Sequence, residues 1–319
     1  MKTKAPLFLS LVVPVYNEEK TIGKFLSAVE PVLKSITEDY EIIFSADPCT
    51  DRTIPMLLER RAADPRIKIM VFSRHFGQPA AILAGLSRAG GQVVIPIDCD
   101  LQDPPALIVK MVELWRQGYK VVLPQRQTRH GETWPKRAIS YLGYWFINRT
   151  SQVPIPRNTG EFRLMDKRVV DEVVKLGESH GFLRGLVAVV GFKTAMLPFD
   201  RPERVDGEGK YNRFTGSLRI GFNGIIGFSD YLLNLMVKIG FAFSAFSMLA
   251  ALLVVYLKFG QKIEFASGVP SMMILMLFLG GTQLVGMGIL GAYISRIYED
   301  VKRRPRFIVD EQYGLEPAE

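Results

Sequence analysis

Val93-Val-Ile-Pro-Ile-Asp-Cys-Asp-Leu-Gln-Asp-Pro-Pro105 runs from unbroken apolar residues into two aspartates one residue apart, then a third, then a proline pair. A short apolar run without alternation suits a strand covered on both faces. Prolines suit the first turn of a helix, where the missing N–H would have no partner anyway. The same succession recurs on both sides of this stretch. Apolar runs lie at 9–15, 41–44, 67–72 and 120–123, and segments of helical period lie at 19–33, 53–62, 79–89 and 105–117. Strands alternating with helices imply right-handed crossovers and a mostly parallel sheet. The expected fold class is therefore α/β, with a Rossmann-like domain at its head. Residues 125–215 read as a less regular, arginine-rich extension of it.

The rest of the chain is different in kind. Segments 239–257 and 269–295 carry no formal charge, and each is long enough to cross a hydrocarbon core about 30 Å thick. Between them, 258–268 holds two lysines and one glutamate. Outside them sit Lys238 on one side and Arg296, Lys302, Arg303, Arg304 and Arg306 on the other. Basic flanks favour the cytosolic side, so the α/β domain is expected in the cytosol of a multi-pass protein of the plasma (inner) membrane. Glycines 280, 281, 286, 288 and 291 would let the two spans approach closely. The division expected is a cytosolic domain over 1–215, a juxtamembrane amphipathic helix over 216–237, two transmembrane helices over 238–296 and a basic cytosolic tail over 297–319.

Composition agrees with a soluble part joined to a membrane part. Of 319 residues 48% are hydrophobic, yet 23% are charged, and the mean hydropathy is +0.14. The net charge of +8 calls for anionic partners. The apolar tail favours phosphorylated substrates and acidic lipid over nucleic acid. Two cysteines, Cys49 and Cys99, make no disulfide framework and have no metal-ligand spacing. The first residues faintly resemble a signal peptide, but no small-residue cleavage site precedes Asn17-Glu18-Glu19. A buried first strand is the better reading.

Ligands of an open parallel sheet bind where its strands end at their carboxyl edge. The turns there read Pro14-Val-Tyr-Asn-Glu18, Ser45-Ala-Asp-Pro-Cys-Thr-Asp51 and Asp98-Cys-Asp-Leu-Gln-Asp103. Helix capping accounts for Glu18, Glu19 and Asp51. It does not account for Asp98 and Asp100, which leave a buried strand directly. Two carboxylates at a strand end can hold a hard divalent cation against a diphosphate.

These turns also carry a resemblance. Val12-Val-Pro-Val-Tyr-Asn-Glu-Glu19, Asp98-Cys-Asp-Leu-Gln-Asp-Pro-Pro105, Gly160-Glu-Phe-Arg-Leu164 and Gly207-Glu-Gly-Lys-Tyr211 resemble the family-two glycosyltransferases, whose domain is of the GT-A type. Ser73-Arg-His-Phe-Gly-Gln78, Ala84-Gly-Leu86 and Arg184-Gly185 add to it. The motifs follow the family order across residues 9–230. With the two-helix tail they point to the polyprenyl-phosphate branch, of bactoprenol glucosyltransferase or dolichyl-phosphate mannose synthase type. The Q-x-x-R-W motif usual in processive polysaccharide synthases is absent.

The resemblance implies an inverting transferase that moves a sugar from a UDP-sugar onto a polyprenyl phosphate at the bilayer, with glucose expected by family analogy. It assigns Pro14, Tyr16, Glu18 and Asp47 to the nucleoside, Cys99 to the same nucleotide-sugar edge, and Asp98, Asp100 and Gln102 to Mg²⁺ or Mn²⁺. Arg126, Arg204 and Lys210 would neutralise phosphates. Asn158, Glu161, Arg163 and Arg204 join Asp98 and Asp100 as the catalytic set.

Three departures stand out: Ala46-Asp-Pro-Cys49 replaces D-D-G-S, Asn158 stands where the family often has aspartate, and Glu161 replaces the aspartate of G-D-F-R-L. The last two put a conventional general base in doubt. A phosphate monoester, with a second pKa of about 6, is already largely a dianion and needs none. A GDP-sugar enzyme of the mannose synthase type, or an impaired membrane scaffold, stays open as an alternative, and so does assembly into a homo-oligomer.

Overall fold

The computed structural model describes residues 8–127, 156, 158–176, 183–200, 231–259 and 268–315. Its strands are β1 (Leu9–Val15), β2 (Tyr40–Ala46), β3 (Ile67–Phe72), β4 (Val93–Pro96), β5 (Val121–Arg126), β6 (Leu164–Asp166), β7 (Thr194–Phe199) and β8 (Val309–Tyr313). Its helices are α1 (Ile22–Ile36), α2 (Thr53–Ala63), α3 (Gln78–Arg88), α4 (Leu107–Arg116), α5 (Lys167–Lys175), α6 (Leu183–Val190), α7 (Tyr231–Phe259) and α8 (Val269–Val301). One sheet of order β7-β5-β6-β4-β1-β2-β3-β8 holds every strand. Only β6 and β8 run against the others. The expected mostly parallel α/β domain is therefore present, and the first apolar run is its strand β1.

The burial explains the apolar runs. Every residue of β1 and β2 is buried, because helices cover both faces of the sheet. Leu9, Leu11, Val13 and Val15 pack with Phe25, Leu26 and Val29 of α1 and with Met111 of α4. Val12 and Ile43 face the other way, onto Ile82 and Leu86 of α3 and Val169 and Val173 of α5. Each such aliphatic side chain contributes roughly 1.5–3 kcal/mol by leaving water. Gly85 lets α3 settle on β1, since a Cβ there would collide with Val12. Trimming Leu11 to alanine would open a cavity under two layers and cost about 2–5 kcal/mol.

The apolar tail folds as two long helices, α7 and α8. Large apolar side chains such as Phe241, Leu249, Leu284 and Met287 point outward along them. Among the described residues one segment, Phe278–Val301, is long and apolar enough to cross a membrane. Two transmembrane helices are thus not established by this test. The helices meet through Phe243 and Phe278, with ring centroids 5.9 Å apart, and through Met236 against Gly286. At the other four glycines singled out, an added Cβ would meet nothing within 4 Å among the described residues. The interfacial segment 218–228 lies outside the described residues.

The C-terminal segment departs from expectation. Instead of a basic tail throughout, residues 309–313 form β8, which pairs antiparallel with β3. Val309 and Tyr313 are apolar enough to serve an edge strand, and the charged run of 302–306 had masked them.

Candidate active site

The carboxyl ends of β1, β2, β3 and β4 converge, and their loops are cross-braced. Asn17, in a left-handed conformation that suits a short polar side chain, accepts the Thr50 N–H through Oδ1 at 2.8 Å. Asp51 accepts the N–H groups of Glu19 and Thr53, and Glu19 accepts that of Arg52. Glu18 receives the Thr21 hydroxyl at 2.7 Å. Asp51 thus meets the first N–H of α2. Helix α1 has no side-chain cap and no acid in its first turn, so Glu18 and Glu19 brace the loops instead of capping it as expected.

Asp47, at the end of β2, is buried and grips the next loop. Its oxygens accept the Phe76 N–H at 2.8 Å and the Gly77 N–H at 3.0 Å. The His75 Nδ1 lies 3.0 Å from the second oxygen. A uracil contact would have to share an acceptor already engaged by three groups. Gly77, at φ +89°, permits the turn that aims two successive N–H groups at one carboxylate. The same loop lays His75 against the exposed ring of Tyr16, centroids 4.7 Å apart. Pro14 lies within β1, two residues before that ring.

At the end of β4, Asp98 accepts from the Gln78 side-chain amide at 2.7 Å. Burial, then the carboxylates of Asp100 and Asp103, push Asp98 up to about 7. Leu101, at φ +56°, makes the turn that returns the Gln102 N–H to Asp100 at 3.1 Å. Gln102 and Asp103 are buried beside them. Cys99 is buried and turned to the core, its sulfur 3.7 Å from the Thr21 hydroxyl, and burial pushes its thiol up. Any part it takes at the nucleotide edge would fall to its backbone.

Arg126, the last residue of β5, sets its guanidinium 3.5 Å from Asp103, with its Nε buried and without a hydrogen-bond partner among the described residues. Gly160 makes room for it, since a Cβ there would lie 3.1 Å from that guanidinium. Asn158, left-handed at φ +59°, accepts the Arg126 backbone N–H at 3.1 Å. Glu161 is held by two guanidinium groups, Arg184 at 2.8 Å and Arg163 at 3.3 Å. Arg163 itself is 1% exposed and donates to the Gly160 carbonyl at 2.6 Å. Burial lowers it to about 10. Arg163, placed in the catalytic set by the resemblance, is turned inward, and its donors brace the Gly160–Glu161 turn. Arg204 and Lys210 lie outside the described residues.

The donors suit a hard divalent cation. Asp98 and Asp100 offer oxygen ligands in a region where a third carboxylate raises the electrostatic need for one. Among the described residues no three His, Cys, Asp or Glu side chains converge into a ready cage, so further ligands would come from a diphosphate and water. His75, Gln78 and Arg184 have no individual role in the sequence reading. Gln78 carried one signal, as the first residue of a helix at a sheet's carboxyl edge.

A family model described as Glycosyl transferase family 2 matches residues 10–174. An uncharacterized glycosyltransferase of Bacillus subtilis, YkcC, is 41% identical over 96% of this chain and 94% of its own. The bactoprenol glucosyl transferase of Shigella phage SfII is 37% identical over 97% of this chain and 99% of its own. Among solved structures, glucosyl-3-phosphoglycerate synthase from Mycobacterium tuberculosis is a distant likeness. It is 16% identical, covers 69% of this chain and 77% of its own, and has a TM-score of 0.46.

Proposed function

Because the chain belongs to glycosyl transferase family 2, we propose that it moves a hexose, glucose by the bactoprenol relatives, from a UDP-sugar to a polyprenyl phosphate at the cytosolic face of a membrane. The observation that carries this reading is the crowding of carboxylates at the end of β4, where burial and like charge push Asp98 up to about 7. Such a cluster is unfavourable alone and would be relieved by a divalent cation, which would also supply positive charge to a diphosphate. The near full-length match to a bactoprenol glucosyl transferase supports the lipid acceptor. So do the outward apolar side chains of α7 and α8, read here as two spans with basic flanks inside.

Asp98 and Asp100 would hold Mg²⁺ or Mn²⁺, with Gln102 beside them. When bound, the ion stabilises negative charge on the departing diphosphate. Tyr16 and His75 offer an aromatic platform at the edge where the nucleoside belongs. Arg126 adds positive charge beside Asp103, and Arg204 and Lys210 are assigned to phosphates as well. An oxygen of the lipid phosphate dianion forms a bond to the anomeric carbon. The bond from that carbon to the UDP oxygen breaks, its electron pair leaving with UDP, and the configuration inverts. No proton has to move first.

Membranes containing the protein, incubated with labelled UDP-sugars, should yield organic-extractable label that depends on a divalent ion. Label found in lipid only with GDP-sugars would overturn the donor. None with either would overturn the acceptor class.

A further inference from the structure

The loop that carries His75 and Gln78 is held from two sides. Asp47 takes its inner N–H groups, as described. Its outer side meets the segment that leads from α8 into β8. The Ser73 N–H donates to the Ile308 carbonyl at 3.0 Å. Phe72, at the end of β3, is buried between two rings: Phe307 at 5.8 Å and Phe76 of the loop at 6.0 Å, edge-on. Arg74 covers the Phe76 ring at 3.9 Å. The β3–β8 register shifts between Val71 and Phe72, and an irregularity of that sort bends a strand where it occurs.

Covering the β3 edge would by itself be a sufficient use for β8, since bare edges invite association. It does not explain why the aromatic contact sits at the end where the loop departs. We propose that Phe307 is a positioning residue for the nucleotide-sugar site: through Phe72 and Phe76 it holds the 73–78 loop so that His75 faces Tyr16 and Gln78 reaches Asp98. The inference rests on the donor-site reading above. The last residue of α8 is six residues from Phe307, a reach of at most about 20 Å. The end of the apolar helix is therefore coupled to the donor site by a short strap.

The two ends of β8 separate positioning from mere edge cover. Tyr313 pairs with Ile69, well inside β3 and away from the loop. In the full-length detergent-solubilised protein, Phe307→Ala should weaken UDP binding in the presence of Mn²⁺ about tenfold, the scale of a lost aromatic contact. It should also speed amide exchange at Phe76 and Gly77. Tyr313→Ala should lower the melting temperature while leaving UDP affinity within about twofold. Phe307→Leu carries the same test at smaller amplitude if the alanine variant does not fold. Unchanged UDP affinity in folded Phe307 variants would overturn the proposal. So would equal losses in Phe307→Ala and Tyr313→Ala, which would mark β8 as edge cover alone. Failure of the parent to bind UDP with Mn²⁺ is a separate result. It would remove the donor-site reading, and this inference with it.

Discussion

Asp98 and Asp166 sit at opposite edges of one sheet and meet opposite fates. At the amino edge, Asp166 is buried, which by itself would push it up. Lys120 at 2.7 Å, the Trp115 indole at 2.8 Å and the Arg168 N–H at 3.2 Å more than offset this, and its carboxyl is held below the usual range. At the carboxyl edge, burial acts on Asp98 in the same direction, but its charged neighbours are Asp100 and Asp103, and it rises to about 7. Glu41, another amino-edge acid, is likewise partnered from within the fold, by Lys68, Ser10 and the Gly90 N–H. A buried acid whose partners are built into the fold stabilises it. A half-buried acid crowded by like charge, such as Asp98, is arranged for something that arrives from outside.

The contrast is open to direct attack. Asp100→Ala should lower transfer by 10³-fold or more, on the order of effects at charge-stabilising groups. The melting temperature should hold or rise, because a repulsion is removed. A full-rate Asp100→Ala enzyme would end the functional reading of this edge. Asp166→Ala should do the reverse. It leaves the Trp115 N–H and the Lys120 ammonium without their acceptor and should cost about 2–3 kcal/mol in denaturant titration, with turnover of the folded enzyme kept. Glu161 tests the rule within the carboxyl edge itself, since Arg163 and Arg184 pair it from within. Glu161→Gln should lower kcat by no more than about 10²-fold in single-turnover assays. A loss beyond about 10⁴-fold with donor binding intact would make that carboxylate a base.

The smallest expected effect is in pH. Asp98 keeps a proton in the fold over a range where an unfolded carboxyl, at about 3.8, has lost it. Its contribution to stability is therefore full below that value and declines as pH rises through about 7. Asp166, with the opposite shift, contributes above the usual carboxylate range and loses this on acidification. A cation replaces the proton on Asp98, so Mn²⁺ should raise the melting temperature more at about pH 8 than at about pH 6. In Asp98→Asn that difference should vanish.

Much of the fold could be read from periodicity alone. The buried strands and their order of appearance followed from runs such as 9–15 and 67–72, because a strand covered on both faces is almost wholly apolar; Ser10 and Lys68 are the exceptions there, and both meet Glu41. Helix bounds moved by a few residues; α1 starts at Ile22 because Glu18 and Thr21 are spent on the turn before it. The antiparallel β6 and β8 were not legible. Each is short, and β8 follows a basic run that a local reading assigns to solvent. At the site, Asp98 and Asp100 stood out because a strand end needs no second acid for capping. Asp47 was legible as a site residue but not as the grip on the 73–78 loop, since its partners are backbone N–H groups. Gln78 and His75 gain their places through Gly77 and a contact 20 or more residues away in sequence. The burial of Arg163 was not legible, because a motif does not show that its guanidinium is 1% exposed.

The outermost strands of the sheet are β7 and β8, and the chain forms α7 and α8 between them. On the β8 side the join is short, six residues from the end of α8 to Phe307; on the β7 side residues 201–230 lie outside those described. A short tether sets how far one body can stray from the other, here at most about 20 Å. With the helices in a bilayer, the sheet would stay close to the lipids diffusing beneath it. The search for acceptor would then run over a plane instead of through a volume.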